Sequence, residues 1–411
     1  MKNIQKLWNK TISYYLVTAT IAVFVFSEFI YRGPLLPVAK AMDAMKIKYV
    51  FMAATSFYIL LQLIAKRQSL FKMKVFKKEA KLYLIAIGTL GVITLIYQIA
   101  NGFRAFVIPE FLYVLLPLVF VILVVSADCV NVSRILDNCF YIAVFAFAVD
   151  AIGALGSLST MSLSFLDSSS PFENPSSLIF VFLELYLLVR YDKRNGKALI
   201  CLLITLLTFK RISVIIAILF FIFVPIIKNK KVPRWLFVST IAIFCLIPFL
   251  LEYFYSNAFA SFFLTRYGMD FNEFTMDRFA RTSYVLNNLG EIKYGFGSVT
   301  NFLSENYGRE NVANRSLHSD LLRIFLECTF VGTLVYNICY FLSVKKDVVS
   351  FLLMFSIFAQ MVFNHPIGAG GVGHWIIIYL MIAYFNYRKE VPFYKEGMMK
   401  RKKIKIGKIT I

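Results

Sequence analysis

The chain has 411 residues, 59% of them hydrophobic and 16% charged, with a formal net charge of +21. These proportions exclude a soluble globular protein and indicate a polytopic membrane protein, since an apolar run of about 18 residues spans a hydrocarbon core roughly 30 Å thick. A charge of +21 would suit a nucleic-acid partner, but its distribution along the chain argues against one.

Hydropathy predicts an all-α integral membrane protein with about twelve spans. The first runs near Thr11 to Tyr31. It is too long for a signal-peptide core, although Ala39-Lys40-Ala41 mimics a cleavage site, so a retained helix is expected. The second lies near Tyr49 to Ala65, followed by a basic loop holding Lys66, Arg67, Lys72, Lys74, Lys77, Lys78 and Lys81. The third and fourth lie near Leu82 to Ala100 and Phe111 to Ala127. The fifth covers Cys139 to Leu158, and the sixth Ser177 to Val189. Between those two, the Ser/Pro/Asn-rich stretch Ser159 to Ser176 reads as exposed coil.

The seventh span, Ala198 to Phe209, meets the eighth at Lys210-Arg211, and the ninth covers Trp235 to Leu251. A long polar segment then runs to the tenth span (Leu321 to Ser343), the eleventh (Val348 to Phe363) and the twelfth (Trp375 to Tyr387). The chain thus divides into spans 1–9 over residues 1–251, one large extracytoplasmic loop over 252–318, spans 10–12 over 319–387, and a basic cytoplasmic tail over 388–411. The six cysteines avoid the large loop and form no C-x-x-C pair, so they read as small apolar residues.

Alternate loops and the N-terminus collect roughly thirty of the 44 lysines and arginines, which places both termini in the cytoplasm. The long loop, Lys210-Arg211 and all three histidines then face outward. Most of the positive charge is therefore a topology signal with some attraction to anionic lipid.

The long loop favours arginine: Arg266, Arg278, Arg281, Arg309 and Arg315 against the single Lys293. A planar guanidinium fork suits bidentate phosphate binding, whereas lysine is a mobile point charge. Residues Phe271 to Leu289 read as one amphipathic helix with Phe274, Arg278, Arg281 and Val285 on a shared face. Lying on the bilayer, it would hold two guanidinium groups at lipid-phosphate height, unless Asp277–Arg281 is an ordinary exposed ion pair.

Ser316 or Ser319 can cap the tenth span, with Asp320 complementing the positive helix end. His318 would then sit at a helix N-terminus, neutral and able to accept a proton, or serve merely as a packing residue. Arg323 and Glu327 follow at one-turn intervals inside the span, either paired with each other or lining a functional cavity. Lys210-Arg211 marks a tight turn or a cation pair poised for a lipid-linked phosphate. Asp150 and Glu184 are intramembrane acids read as structural hydrogen-bonding groups in preference to a proton relay. The glycine-rich stretch from His365 to His374 lacks a preceding strand and a P-loop lysine, so it reads as a flexible outer turn and not a nucleotide loop.

The run His318-Ser319-Asp320-Leu321-Leu322-Arg323-Ile324-Phe325-Leu326-Glu327, followed by Gly332, resembles the end of the large outer loop in O-antigen and capsule polymerases of the Wzy type, and in the related O-antigen ligases. Also similar are an arginine (Arg278 or Arg281) before a Gly295-Phe296-Gly297 turn and a basic residue at the outer end of a middle helix (Lys210-Arg211). A departure lies at Cys328-Thr329, where many relatives carry a glycine. The resemblance implies a metal-independent glycosyltransferase of the bacterial cytoplasmic membrane, with no cofactor. Undecaprenyl-pyrophosphate-linked oligosaccharides would be donor and acceptor, membrane lipid would surround it, and a chain-length regulator and a flippase would be its partners. His318, Arg278 and Arg281 would be catalytic, and Lys210, Arg211, Arg266, Arg315 and Arg323 would bind pyrophosphate. A ligase, or a lipid-linked oligosaccharide flippase, is the alternative.

Overall fold

The computed structural model describes residues 2–32, 38–65, 75–127, 131–156, 162–163, 168–191, 195–275, 277–292, 295–307, 317–345, 347–368, 371–388, 405–406 and 409–410. The architecture is helical: α1 (Lys2–Arg32), α2 (Val38–Ala65), α3 (Lys77–Asn101), α4 (Val107–Ser126), α5 (Val132–Ala154), α6 (Leu178–Arg190), α7 (Gly196–Leu207), α8 (Arg211–Ile227) and α9 (Arg234–Phe254) come first. Short helices α10 (Asn257–Tyr267), α11 (Phe271–Phe274), α12 (Arg278–Asn287) and α13 (Ser298–Asn306) occupy the long segment. Then follow α14 (Asp320–Ser343), α15 (Val348–Phe363) and α16 (Val372–Tyr387). Strand pairing among the described residues is confined to two antiparallel pairs of two residues each.

Among the described residues, seven helices are long and apolar enough to cross a membrane: the apolar parts of α1 and α2, and α3, α4, α5, α9 and α14. Four more, α7, α8, α15 and α16, are apolar but only 12 to 17 residues long, short of the roughly 20 a perpendicular crossing needs. The 13-residue α6 is buried from Ile179 to Val189.

Helix α14 packs on α3, α9 and α15, α1 on α2 and α5, and α16 on α4. α16 is buried along its whole length, so it runs through the interior of the bundle. Tyr83, Tyr340 and Tyr379 fill the interior, with ring centroids 4.7 and 4.9 Å from Tyr83. Their hydroxyls are matched inside the protein: Tyr83 with Ser343 at 2.5 Å and Tyr340 with Tyr379 at 2.8 Å. Internal partners of this kind let a polar tip sit where no water reaches. At one end of the bundle Glu79 accepts from Asn386 and Tyr387, both at 2.9 Å, and Arg388 pairs with Asp347 at 3.0 Å. The candidate site lies at the opposite end.

Two expectations change. The stretch predicted as one amphipathic helix is broken at Asp277, whose backbone is left-handed (φ 59°), so Phe274 ends α11 while Arg278 opens α12. The predicted coil before α6 is not simply exposed: Ser170, Asn174 and Ser176 are buried. Asn174 donates to Asp150 at 3.0 Å and to the Phe29 carbonyl at 3.2 Å, because the ends of α1 and α5 leave acceptors that only a folded-in amide can reach.

Candidate functional site

Ser319 caps α14, its hydroxyl accepting from the Leu322 amide at 3.2 Å. One turn inside, Arg323 is completely buried. Its Nη1 reaches Glu110 Oε2 of α4 at 3.1 Å and Thr300 Oγ1 of α13 at 3.2 Å. Its Nη2 donates to the Ile367 carbonyl at 3.3 Å, and its Nε faces Asp320 Oδ1 as an ion pair at 3.3 Å. The Phe296 ring covers the guanidinium with its centroid 5.0 Å away. A charge so placed persists inside a bundle only where opposite charges and acceptors surround it, and each nitrogen of Arg323 faces one.

The glycine turn supplies the second fastening. Gly295 and Gly297 have φ of 86° and 93°, a region that side chains other than glycine rarely adopt. A Cβ at Gly295 would come 2.7 Å from the Thr94 Cα, and one at Gly297 2.8 Å from the Glu110 Cγ. Between them the Phe296 amide donates to Thr94 Oγ1 at 3.0 Å. Glu327, fully inside α14, accepts from the Val299 amide at 2.9 Å, a carboxylate against the positive end of α13. Arg323 and Glu327 remain within electrostatic reach of each other, but the hydrogen bonds described for each run to other elements.

The turn after α15 makes the third contact. His365 Nδ1 lies 2.5 Å from Asp320 Oδ1, and the Ile367 amide donates to Asp320 Oδ2 at 2.5 Å. Asp320 also takes its own amide to the Asn364 carbonyl. The start of α8 reaches this end through Ser213, which accepts from Gln360 at 3.1 Å while Gln360 accepts from Asn364 at 2.6 Å.

His318 is half-buried just before the cap and is held by contacts of its own. Lys210 and Arg211 stand where α7 turns into α8, after Phe209 in a left-handed conformation (φ 52°). Arg266 is exposed on α10, and Arg315 lies outside the described residues. Arg278 is half-buried at the start of α12, while Arg281 is only 5% exposed and faces Tyr307 and Arg278. Burial lowers the Arg281 pKa below its ordinary value. Burial raises that of Tyr255, an effect the nearby Arg278 opposes. Tyr284 joins α12 to α13 by packing on Phe302 and Tyr307.

A further cluster was not visible in the sequence. Glu28 of α1 lies 3.6 Å from Lys48 of α2, and 3.3 Å from His374 Nδ1 of α16; it also accepts from the Gly373 amide at 3.0 Å. His374 Nε2 contacts the Ser176 carbonyl at 3.1 Å. Stacked Tyr49 and Tyr113 stand between this cluster and Glu110, with Tyr49 within electrostatic reach of both Glu28 and Glu110. Glu110 precedes the predicted fourth span by one residue and Lys48 the second by one, so both read as boundary charges. Glu184 is fully buried, and neither carboxylate oxygen has a hydrogen-bond partner among the described residues.

No protein family, curated protein or solved structure matches this chain.

Proposed function

We propose that the protein is a membrane-embedded glycosyltransferase that joins lipid-diphosphate-linked oligosaccharide repeat units, as its resemblance to Wzy-type polymerases implies. In this reading α1–α9 and α14–α16 make twelve crossings, the shorter helices tilting little and ending at polar groups. Both termini are cytoplasmic, and α10–α13 form an outer roof. One observation carries the reading: the Arg323 knot fastens the arginine-bearing segment and the His365 turn to the same end of the bundle, next to His318.

The acceptor sugar hydroxyl attacks the anomeric carbon of the donor, and the bond from that carbon to the diphosphate oxygen breaks. The hydroxyl proton passes to His318, and the lipid diphosphate leaves. Arg278 and Arg281, with Lys210, Arg211, Arg266 and Arg315 as outlying cations, neutralise charge growing on the leaving group. A preorganised donor of this type contributes about 3 kcal/mol. Arg323, whose fork is already filled by protein acceptors, acts on the substrate by holding the roof in place.

A transporter of the same lipid-linked sugar is the second reading. The buried ionisable side chains Glu28, Lys48 and His374, on three separate helices, favour it. Purified protein in liposomes with lipid-linked repeat units separates the two. A ladder of polymer on a gel supports the transferase; movement of intact repeat units across the bilayer without a ladder supports the transporter.

A further inference from the structure

We infer that α10 is an interfacial helix that lies in one face of the bilayer, with Phe262, Leu264 and Tyr267 set among lipid tails. The helix follows α9 after a two-residue turn, and α9 is long and apolar enough to span. The outward face of α9 is apolar up to its end: Leu246, Leu250 and Tyr253 are 57%, 64% and 63% exposed. The lipid-facing belt of the bundle therefore runs directly onto α10.

No residue of α10 is buried. Phe259, Ala260 and Phe263 pack partly against the core, and Phe271 lies under both phenylalanines at 5.2 and 5.0 Å. Phe262 (56%) and Leu264 (52%) flank that packed strip on opposite sides, and Tyr267 (64%) continues it one turn beyond Phe263, whose ring it meets at 4.8 Å. Asn257, Ser261 and Thr265, spaced i, i+4 and i+8, form the polar strip. Asn257 accepts from Ser283 of α12 at 3.2 Å, which turns that strip toward the roof. The Ser261 and Thr265 hydroxyls donate back to the Asn257 and Ser261 carbonyls at 3.0 and 2.8 Å, so they make no demand for water. An exposed Arg266 and a terminal tyrosine complete a composition suited to the headgroup boundary. This inference uses the spanning of α9 and is independent of the chemistry proposed above.

The test is to place single spin-labelled cysteines at 261, 262, 264, 265 and 267, in a background free of the native cysteines, and to reconstitute the protein in liposomes. Collision rates with lipid-soluble oxygen and with a water-soluble nickel chelate are then measured. Labels at 262, 264 and 267 should favour oxygen, and those at 261 and 265 nickel. Five labels equally open to nickel would overturn the inference. So would a disulfide forming between two copies of the unlabelled Phe262→Cys protein together with labels at 264 and 267 shielded from oxygen, which would make a second copy the occupant. Phe262→Trp gives a milder variant: its fluorescence should fall when brominated phospholipids replace ordinary ones, and an unchanged signal counts against the helix lying in lipid.

Discussion

Asp320 and His365, 45 residues apart, are joined at 2.5 Å between Oδ1 and Nδ1. Asp320 also accepts from the Ile367 amide and faces the Arg323 guanidinium, so the carboxylate side of this contact is an acceptor and His365 Nδ1 carries the proton. With Nδ1 donating, Nε2 is the ring nitrogen that faces away from Asp320. Asp320→Asn would turn an amide N–H toward either the His365 N–H or the Ile367 N–H. Leaving one buried donor unmatched costs about 1–3 kcal/mol. The expected outcome is a lower melting temperature in detergent together with reduced polymer; an Asp320→Asn variant as stable and active as the parent would remove Asp320 from this account.

Arg323→Met should cost about 3–5 kcal/mol, because the buried Asp320 and the largely buried Glu110 lose their cation. Glu110→Gln combined with Arg323→Met should lose less than the sum of the two single changes. Chemical unfolding of all three variants measures that coupling, and strict additivity would mean the pair does not interact.

Gly295→Ala combines a positive φ with a Cβ 2.7 Å from the Thr94 Cα, a backbone atom that cannot swing away. The strain alone costs about 1–3 kcal/mol. Gly290→Ala, where nothing lies within 4 Å, is the control and should leave the melting temperature nearly unchanged.

Thr329 carries φ 62° and ψ 176° at the bend inside α14. Thr329→Gly should raise stability by up to about 1 kcal/mol by relieving a strained β-branched residue, offset in part by the added freedom of the unfolded chain. A loss of stability would show that the Thr329 side chain matters more than its backbone.

His318→Ala and Arg281→Ala should leave folded protein in the membrane and abolish polymer in a purified assay. For the histidine, the loss of a general base corresponds to about 10²- to 10⁴-fold in rate. Arg281→Lys keeps the charge but loses the fork, so activity should fall well short of full recovery. Normal chain length in either alanine variant removes that residue from the proposed mechanism.

The apolar windows already contained α1–α9 and α14–α16, since a long hydrophobic run has one way to satisfy its backbone in lipid, whereas α10 and α13 in the polar segment were not read as helices. The arginine-rich segment, the polar residues inside the tenth span and the glycine turn at 295–297 were legible too, and the structure buries Asp320, Arg323 and Glu327. The departure from glycine at Cys328-Thr329 proved to sit at the bend of α14, where the backbone of Thr329 enters the left-handed region.

Apart from the i,i+3 pair Asp320–Arg323 inside α14, the pairing of charges was decided by tertiary structure. Arg323 reaches Glu110 across 213 positions and Glu28 meets the Gly373 amide across 345, and no periodicity in one segment reveals a partner in another. Arg281 reads as a surface cation on a helical wheel, yet it is buried because Asp277 breaks the helix and turns α12 against α13. Local hydrophobicity sets which segments become helices. Which polar groups end up together depends on how those helices pack, because a buried charge lowers its cost only by finding an opposite charge or a donor on a neighbouring element.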